Sequence, residues 1–191
     1  MRIIAGKHKG RRIEIGKDTG TIRPTSDFAR EAIFNILCHG RFGLNGHTFE
    51  GKHVLDVFCG TGAFGLEALS RGAASATFID QARESIAAAK HNASRMNEEG
   101  TVTFLQTDAT KLSKARRAYD VVFLDPPYFS KLILPCLNTL REGGWVAEDG
   151  LIVVEHDVKE TYTLPDAFEL VDGRRYGRAV VEIIKIAPAK A

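Results

Sequence analysis

Two short stretches hold residue types whose spacing can do chemistry. The first is Asp56-Val57-Phe58-Cys59-Gly60-Thr61-Gly62-Ala63-Phe64-Gly65, in which Gly60, Gly62 and Gly65 fit G-x-G-x-x-G. Glycines at this spacing let the chain turn tightly and let a ligand approach the backbone. A helix opening behind them offers N–H groups to an anionic group. The second stretch is Asp125-Pro126-Pro127-Tyr128. Two prolines remove two backbone donors and stiffen the chain. The Asp125 carboxylate and the Pro126 carbonyl then make a rigid acceptor pair, suited to a planar –NH2 group with two donors. Tyr128 adds a flat ring on which a base can stack, worth about 1–3 kcal/mol.

The elements around these stretches are read from periodicity. Strands are expected at about 53–58, 76–80, 102–106, 119–125 and 151–155, with helices at 62–71, 82–97 and 131–141 between them. Two further strands, about 168–172 and 179–186, flank Gly173-Arg174-Arg175-Tyr176-Gly177 and suit a hairpin. Alternating strands and helices predict an α/β fold with a parallel, Rossmann-like sheet of about seven strands, closed by an antiparallel C-terminal hairpin. Upstream, residues 2–5 and 11–15 read as a small hairpin. Ser26 or Asp27 then caps a helix to about Cys38, with Ala29, Ile33, Ile36 and Leu37 on one face. A polar linker over 39–52 separates this appendage, residues 1–40, from a catalytic domain, residues 41–191.

Ligands in such sheets bind beyond the carboxyl ends of the strands. Asp80 ends the second strand, twenty residues after Gly60, where a carboxylate accepts hydrogen bonds from ribose hydroxyls. A nicotinamide dinucleotide would use the same glycines. Two features weigh against it: Asp56 inside the first strand favours a cationic amine over a pyrophosphate, and the chain has no substantial second domain for a hydride acceptor. S-adenosyl-L-methionine has both a ribose for Asp80 and an ammonium group for Asp56. Asp108, just after the third strand, is either a helix-capping acid or an acceptor for the adenine amino group, and its place in the series favours the second. Cys59 has no histidine or cysteine placed to activate it and reads as a packing residue.

The chain has 191 residues, 44% hydrophobic and 26% charged, which suits one ordinary globular core and excludes collagen, coiled coil and a wholly disordered chain. No apolar run approaches the roughly 20 residues of a membrane span, and the N-terminus has no secretory pattern. Three cysteines at spacings of 21 and 77 fit no disulfide framework or zinc knuckle. These features predict a cytoplasmic protein with no membrane partner and no metal. Charge is uneven: residues 1–25 carry a net +5 against +2 for the whole chain. Lys7, Lys9, Arg11, Arg12 and Arg23 are the candidates for phosphate contacts. The alternative is a solvated basic hairpin.

The two stretches resemble the class I, S-adenosylmethionine-dependent amino-methyltransferases that carry Asp/Asn-Pro-Pro-Tyr. Met1-Arg2-Ile3-Ile4-Ala5-Gly6, Lys9-Gly10-Arg11, Arg23-Pro24-Thr25 and Arg30-Glu31-Ala32-Ile33-Phe34-Asn35-Ile36-Leu37 resemble the RsmD family more narrowly, as does Asp56–Gly62 continuing into Gly65–Gly72. The resemblance covers nearly the whole chain up to Ile186. It implies transfer of a methyl group to N2 of a guanine in 16S rRNA of the small ribosomal subunit. It also implies that Asp56, Gly60, Gly62, Asp80 and Asp108 hold the cofactor, and that Asp125, Pro126 and Tyr128 hold the guanine amine and ring. Arg23 and Arg30 would approach cofactor or RNA phosphates, or else form salt bridges on the helix. One small domain with one basic arm has little surface for reading sequence. RNA shape in a partly or fully assembled subunit is therefore expected to supply specificity, with the protein acting as a monomer. The alternatives are a DNA or other RNA amino-methyltransferase, acting on adenine N6 or cytosine N4, and a non-catalytic RNA-binding module.

Overall fold

A computed structural model describes residues 1–15, 27–39 and 49–188. Seven strands form one sheet: β1 (His53–Val57), β2 (Ser75–Asp80), β3 (Val102–Gln106), β4 (Tyr119–Leu124), β5 (Val146–Asp157), β6 (Phe168–Tyr176) and β7 (Ala179–Ile186). Their order is β3-β2-β1-β4-β5-β7-β6. The first five run parallel, and β7 pairs antiparallel with both β5 and β6. The helices are α1 (Asp27–His39), α2 (Ala63–Ser70), α3 (Arg83–Arg95) and α4 (Ile133–Glu142). The predicted α/β class and mixed sheet are borne out.

Burial on both faces explains why the central strands are nearly all apolar. One face carries Phe64, Val121, Phe123, Val153 and Val181, and the same cluster takes in Ile3 and Ile13 from the arm and Ile33, Phe34 and Leu37 from α1. The rings of Phe34, Phe64 and Phe123 stack in series, with centroids 4.7 and 4.0 Å apart. The other face packs Leu55, Val122, Ile152 and Ile184 against Leu137 and Leu140 of α4.

Two strands are longer than periodicity suggests. β5 begins at Val146 because its pairing with β4 jumps from Tyr119↔Val146 to Val121↔Leu151, accommodating the polar Ala147–Gly150 as an irregularity. β6 continues to Tyr176 because a register shift between Leu170 and Asp172 absorbs the polar stretch. The hairpin turn is therefore only Gly177-Arg178, rather than the whole Gly173–Gly177 segment. The N-terminal hairpin is short: around the antiparallel bridge Arg2↔Arg12, Ile3 N donates to the Arg11 carbonyl at 2.9 Å, Gly10 N to the Ile3 carbonyl at 2.8 Å and Ile13 N to the Met1 carbonyl at 3.1 Å.

Other backbone donors of the arm dock it on α2. Glu67 of α2 is fully buried and accepts from the Ile4 and Ala5 amides at 2.7 and 3.0 Å and from Arg71 Nε at 2.8 Å. Lys7 N donates to the Ser70 carbonyl at 2.8 Å, and His8 N to Ser70 Oγ at 2.9 Å. Glu98 pairs with both Lys7 Nζ and His8 Nε2 at 2.6 Å.

Candidate active site

Chain order makes the site. β1 neighbours both β2 and β4, so the connections leave it in opposite directions and a crevice opens between the carboxyl ends of β1 and β4. Both chemically marked stretches begin there. The Asp125 amide donates to the Val57 carbonyl at 3.4 Å, tying the start of one to the end of the strand beneath the other.

The cofactor loop turns through Gly60 (φ 52°) and Gly62 (φ 78°) before α2 starts at Ala63. Gly65 serves packing: a Cβ there would lie 2.4 Å from Phe78 Cε1 of β2. Asp80 closes the loop from β2, with one oxygen accepting from Gly60 N at 3.1 Å and the other from Ala82 N at 2.9 Å. Each carboxylate oxygen keeps a further acceptor site, so a half-buried Asp80 fixed in this way fits a ribose diol.

Asp56 is 2% exposed and its Oδ2 accepts from Gly65 N at 2.9 Å. Burial pushes its carboxyl up to about 8, opposed by the Gly65 hydrogen bond and reinforced by nearby Asp80. Among the described residues no cation pairs with it. A buried carboxyl beside a ligand crevice fits a ligand's ammonium group, which would supply the missing countercharge. Cys59 is buried, and desolvation, then Asp56 and Asp80, push its thiol far up, so it is no nucleophile.

Asp108 lies on the same rim, beside Thr107, whose amide donates to the Asp80 carbonyl at 3.0 Å. It caps the short turn Ala109–Lys111: Oδ1 accepts from Thr110 N at 2.9 Å and Thr110 Oγ1 at 2.7 Å. Its Oδ2 meets Lys111 Nζ at 3.3 Å, and the Thr110 bonds hold its carboxyl below the usual range.

Beyond β4, Pro126 is buried, and no described residue donates to its carbonyl, while Ser130 N returns to the Pro127 carbonyl at 3.2 Å. Tyr128 Oη donates to Glu155 Oε1 at 3.3 Å. Desolvation and the charges of Glu155 and Asp125 push the phenol well above its ordinary range, so it stays a donor. Sequence reasoning missed Glu155. It is 3% exposed near the carboxyl end of β5, at the end of an apolar run where nothing local in the sequence signals a partner. Phe129, 54% exposed and in the left-handed region (φ 61°), was missed too.

The turn of the basic arm lies away from the crevice, while Glu14 returns toward the cofactor loop, where Asn92 Nδ2 donates to the Glu14 and Thr61 carbonyls at 3.0 Å each. Lys7 and Lys9 sit at the carboxyl end of α2, about 12 Å along that helix from the cofactor loop. Lys9 and Arg12 are exposed, Lys7 is engaged by Glu98, and Arg11 donates to the Arg95 carbonyl at 3.0 Å. Arg30 is buried, donating to the Arg2 carbonyl at 2.5 Å with Glu67 3.9 Å away, which is the ion-pair role also open to it. Arg23 falls outside the described residues. Among those residues no cluster could hold a metal, and no helix is long and apolar enough to cross a membrane.

The family model described as conserved hypothetical protein 95 matches residues 1–185. The chain belongs to this family. A Bacillus subtilis (strain 168) relative, YlbH, provisionally named an rRNA methyltransferase, is 34% identical over 192 residues, 97% of this chain and 98% of its own. The Escherichia coli (strain K12) protein named ribosomal RNA small subunit methyltransferase D is 34% identical over 166 residues, 83% of this chain and 76% of its own. These names agree with the RsmD resemblance. The solved structure of Escherichia coli yhhF, provisionally described as a methyltransferase, superposes with a TM-score of 0.82 at 31% identity, over 97% of each chain. The family's match thus takes in arm, α1, cofactor loop and Asp-Pro-Pro-Tyr together.

Proposed function

We propose that this protein transfers a methyl group from S-adenosyl-L-methionine to the exocyclic N2 amine of one guanine in the 16S rRNA of the small ribosomal subunit. The observation that carries the reading is the meeting of the Gly60–Gly65 loop and Asp125-Pro126-Pro127-Tyr128 at the β1/β4 crevice, with Asp125 N bonded to the Val57 carbonyl. The relatives' names support rRNA as the substrate. Asp56 holds the cofactor's ammonium group, Asp80 its ribose, Gly60 and Gly62 its close approach, and Asp108 borders the adenine. Bound there, the cofactor supplies an electrophilic methyl group.

A guanine's amine is a poor nucleophile, because its lone pair is delocalised into the ring. The Asp125 carboxylate and the Pro126 carbonyl accept its two N–H bonds, raising electron density on nitrogen and aiming the lone pair. Tyr128, fixed by Glu155, holds the ring, so catalysis is mainly positioning. The methylated nitrogen is strongly acidic, and its proton passes to Asp125 or to water. Residues 1–40 form an appendage on the catalytic domain 41–191. Its Lys7, Lys9, Arg11 and Arg12 contact RNA phosphates remote from the target base, and Arg23 is a further candidate for a phosphate contact. The protein acts in the cytoplasm as a monomer on assembled or partly assembled subunits.

The test is transfer from labelled S-adenosylmethionine to small subunits from cells lacking the protein, with nucleoside analysis. Label in N2-methylguanosine at one rRNA site is expected. Label in DNA, protein or another base overturns the substrate assignment.

A further inference from the structure

The turn of the basic arm docks at the carboxyl end of α2, the far end of that helix from the crevice. The rim that does hold Tyr128 has cations of its own. β7 runs antiparallel to β5, and Ala179 pairs with Asp157, so the β6–β7 turn projects beyond the carboxyl end of β5. Arg174, Arg175 and Arg178 are all exposed there, with Asp172 the only acid in residues 172–178. Pairing places Arg174 across Val181 from Glu155, on the face where Glu155 holds Tyr128, while the next residue, Arg175, points to the other face. Local bonds set the guanidinium groups without burying them. Arg174 Nη2 meets Asp172 at 3.2 Å, Arg175 Nε donates to the Gly177 carbonyl at 2.9 Å, and Arg178 Nη2 meets Asp157 at 2.7 Å.

Phe129 stands on the same rim, next to Tyr128. Its left-handed backbone is one that side chains seldom adopt, and its amide is held by Glu160 Oε2 at 2.9 Å. An exposed aromatic in a rare backbone conformation, next to Tyr128, is thus the second feature of this rim.

We propose that the β6–β7 tip and Phe129 form the docking rim for the RNA strand that carries the target base. Arg174 and Arg175 take phosphates on either side of the hairpin, and Phe129 fills the stacking gap left when the base enters the crevice. The chemistry suits a single strand or an opened helix: guanidinium groups for phosphate, and one ring for a base or its vacancy. The inference rests on the proposed base methylation for its choice of occupant.

The test uses the full chain with Arg174→Ala/Arg175→Ala and, separately, Phe129→Ala. Arg178 is left in place because it neutralises buried Asp157. RNA affinity, its salt dependence, cofactor affinity and transfer to small subunits are measured together. The double variant is expected to bind RNA about tenfold more weakly at physiological salt and to lose about 1.4 from the log–log salt slope. Phe129→Ala is expected to lower kcat/KM for RNA about fivefold or more. Cofactor affinity stays unchanged in both, which shows that the variants fold. Unchanged RNA affinity and slope in the double variant, with active wild type, overturns the rim. Weaker binding to whole subunits but not to deproteinised RNA also overturns it, in favour of a ribosomal protein as partner. If wild type binds RNA through the rim yet methylates none, the methylation reading fails and the rim stands.

Discussion

Cofactor affinity should depend steeply on pH through Asp56. In the free protein this carboxyl is 2% exposed and its pKa is raised from 3.8 to about 8 by burial. It is therefore mostly protonated at neutral pH, and an arriving ammonium group must first have it ionised. That ionisation costs about 1.4 kcal/mol at pH 7 and about 2.7 kcal/mol at pH 6, and almost nothing well above pH 8. If the bound ammonium group keeps Asp56 ionised throughout, the dissociation constant should fall about 50-fold between pH 6 and pH 8. Binding below about pH 8 should release one proton. Isothermal titration in buffers of different ionisation enthalpy reads affinity and proton release together. Asp56→Asn should weaken binding and abolish both the pH dependence and the release. The free protein adds an independent check of sign. A carboxyl whose folded pKa lies above its unfolded value loses stability as pH rises from about 4 to 8. Asp56→Asn removes that loss and should stabilise the free protein at pH 7, by up to about 4 kcal/mol. A flat affinity between pH 6 and 8, or a proton release that survives Asp56→Asn, would refute the assignment of Asp56 to the cofactor's cation.

Three further outcomes are expected. Asp125→Ala should abolish methyl transfer while cofactor affinity, read in the same titration, stays within about twofold, since an interaction made in the transition state is lost and ground-state cofactor contacts are not. Tyr128→Phe removes the bond to Glu155 but keeps the ring, so KM for RNA should rise only a fewfold, whereas Tyr128→Ala should cost about 1–3 kcal/mol in kcat/KM; equal losses would deny the ring a stacking role. Gly6→Ala places a Cβ 1.8 Å from the Ser70 carbonyl oxygen at φ +81°, so the arm must lift. A loss of at least about 1–3 kcal/mol in denaturant unfolding, with protease sensitivity near residue 10, is expected, and unchanged stability would show that the arm contributes little.

Much of this site was readable because its residues lie at strand ends in sequence order. Gly60, Gly62, Asp80 and the Asp125-Pro126-Pro127-Tyr128 segment each follow an apolar run, and a parallel sheet turns that linear pattern into one rim. The unread parts depend on pairs that no local pattern encodes. Glu155 gains its role from Tyr128, 27 residues earlier, through the side-by-side placement of β4 and β5. The arm's alternating residues suggest strands, and Ile3, Gly10 and Ile13 do donate across the hairpin, but the amides of Ile4, Ala5, Lys7 and His8 go to Glu67 and Ser70, so the pairing stays short. The polar residues of β5 and β6 read as loops because register shifts, which depend on the partner strand, are invisible in one strand's sequence. Charge alone left the arm as either a phosphate-contacting element or a solvated hairpin. The placement of the β6–β7 turn on the reactive rim depends on the antiparallel course of β7.

The anchoring of Ile4 and Ala5 by Glu67, and of His8 by Glu98, also has a consequence for biosynthesis. Residues 4, 5 and 8 leave the ribosome well before their partners, which come 62 to 90 positions later in the chain. Ile3 and Ile13, destined for the core, cannot be covered until α2 and the turn after α3 have been made. At about 5–20 residues per second, that leaves the arm waiting for seconds as an undocked, strongly basic segment. Its charge then has a use before any substrate is met, because it keeps two apolar side chains in solution while the surface that will receive them is still being made.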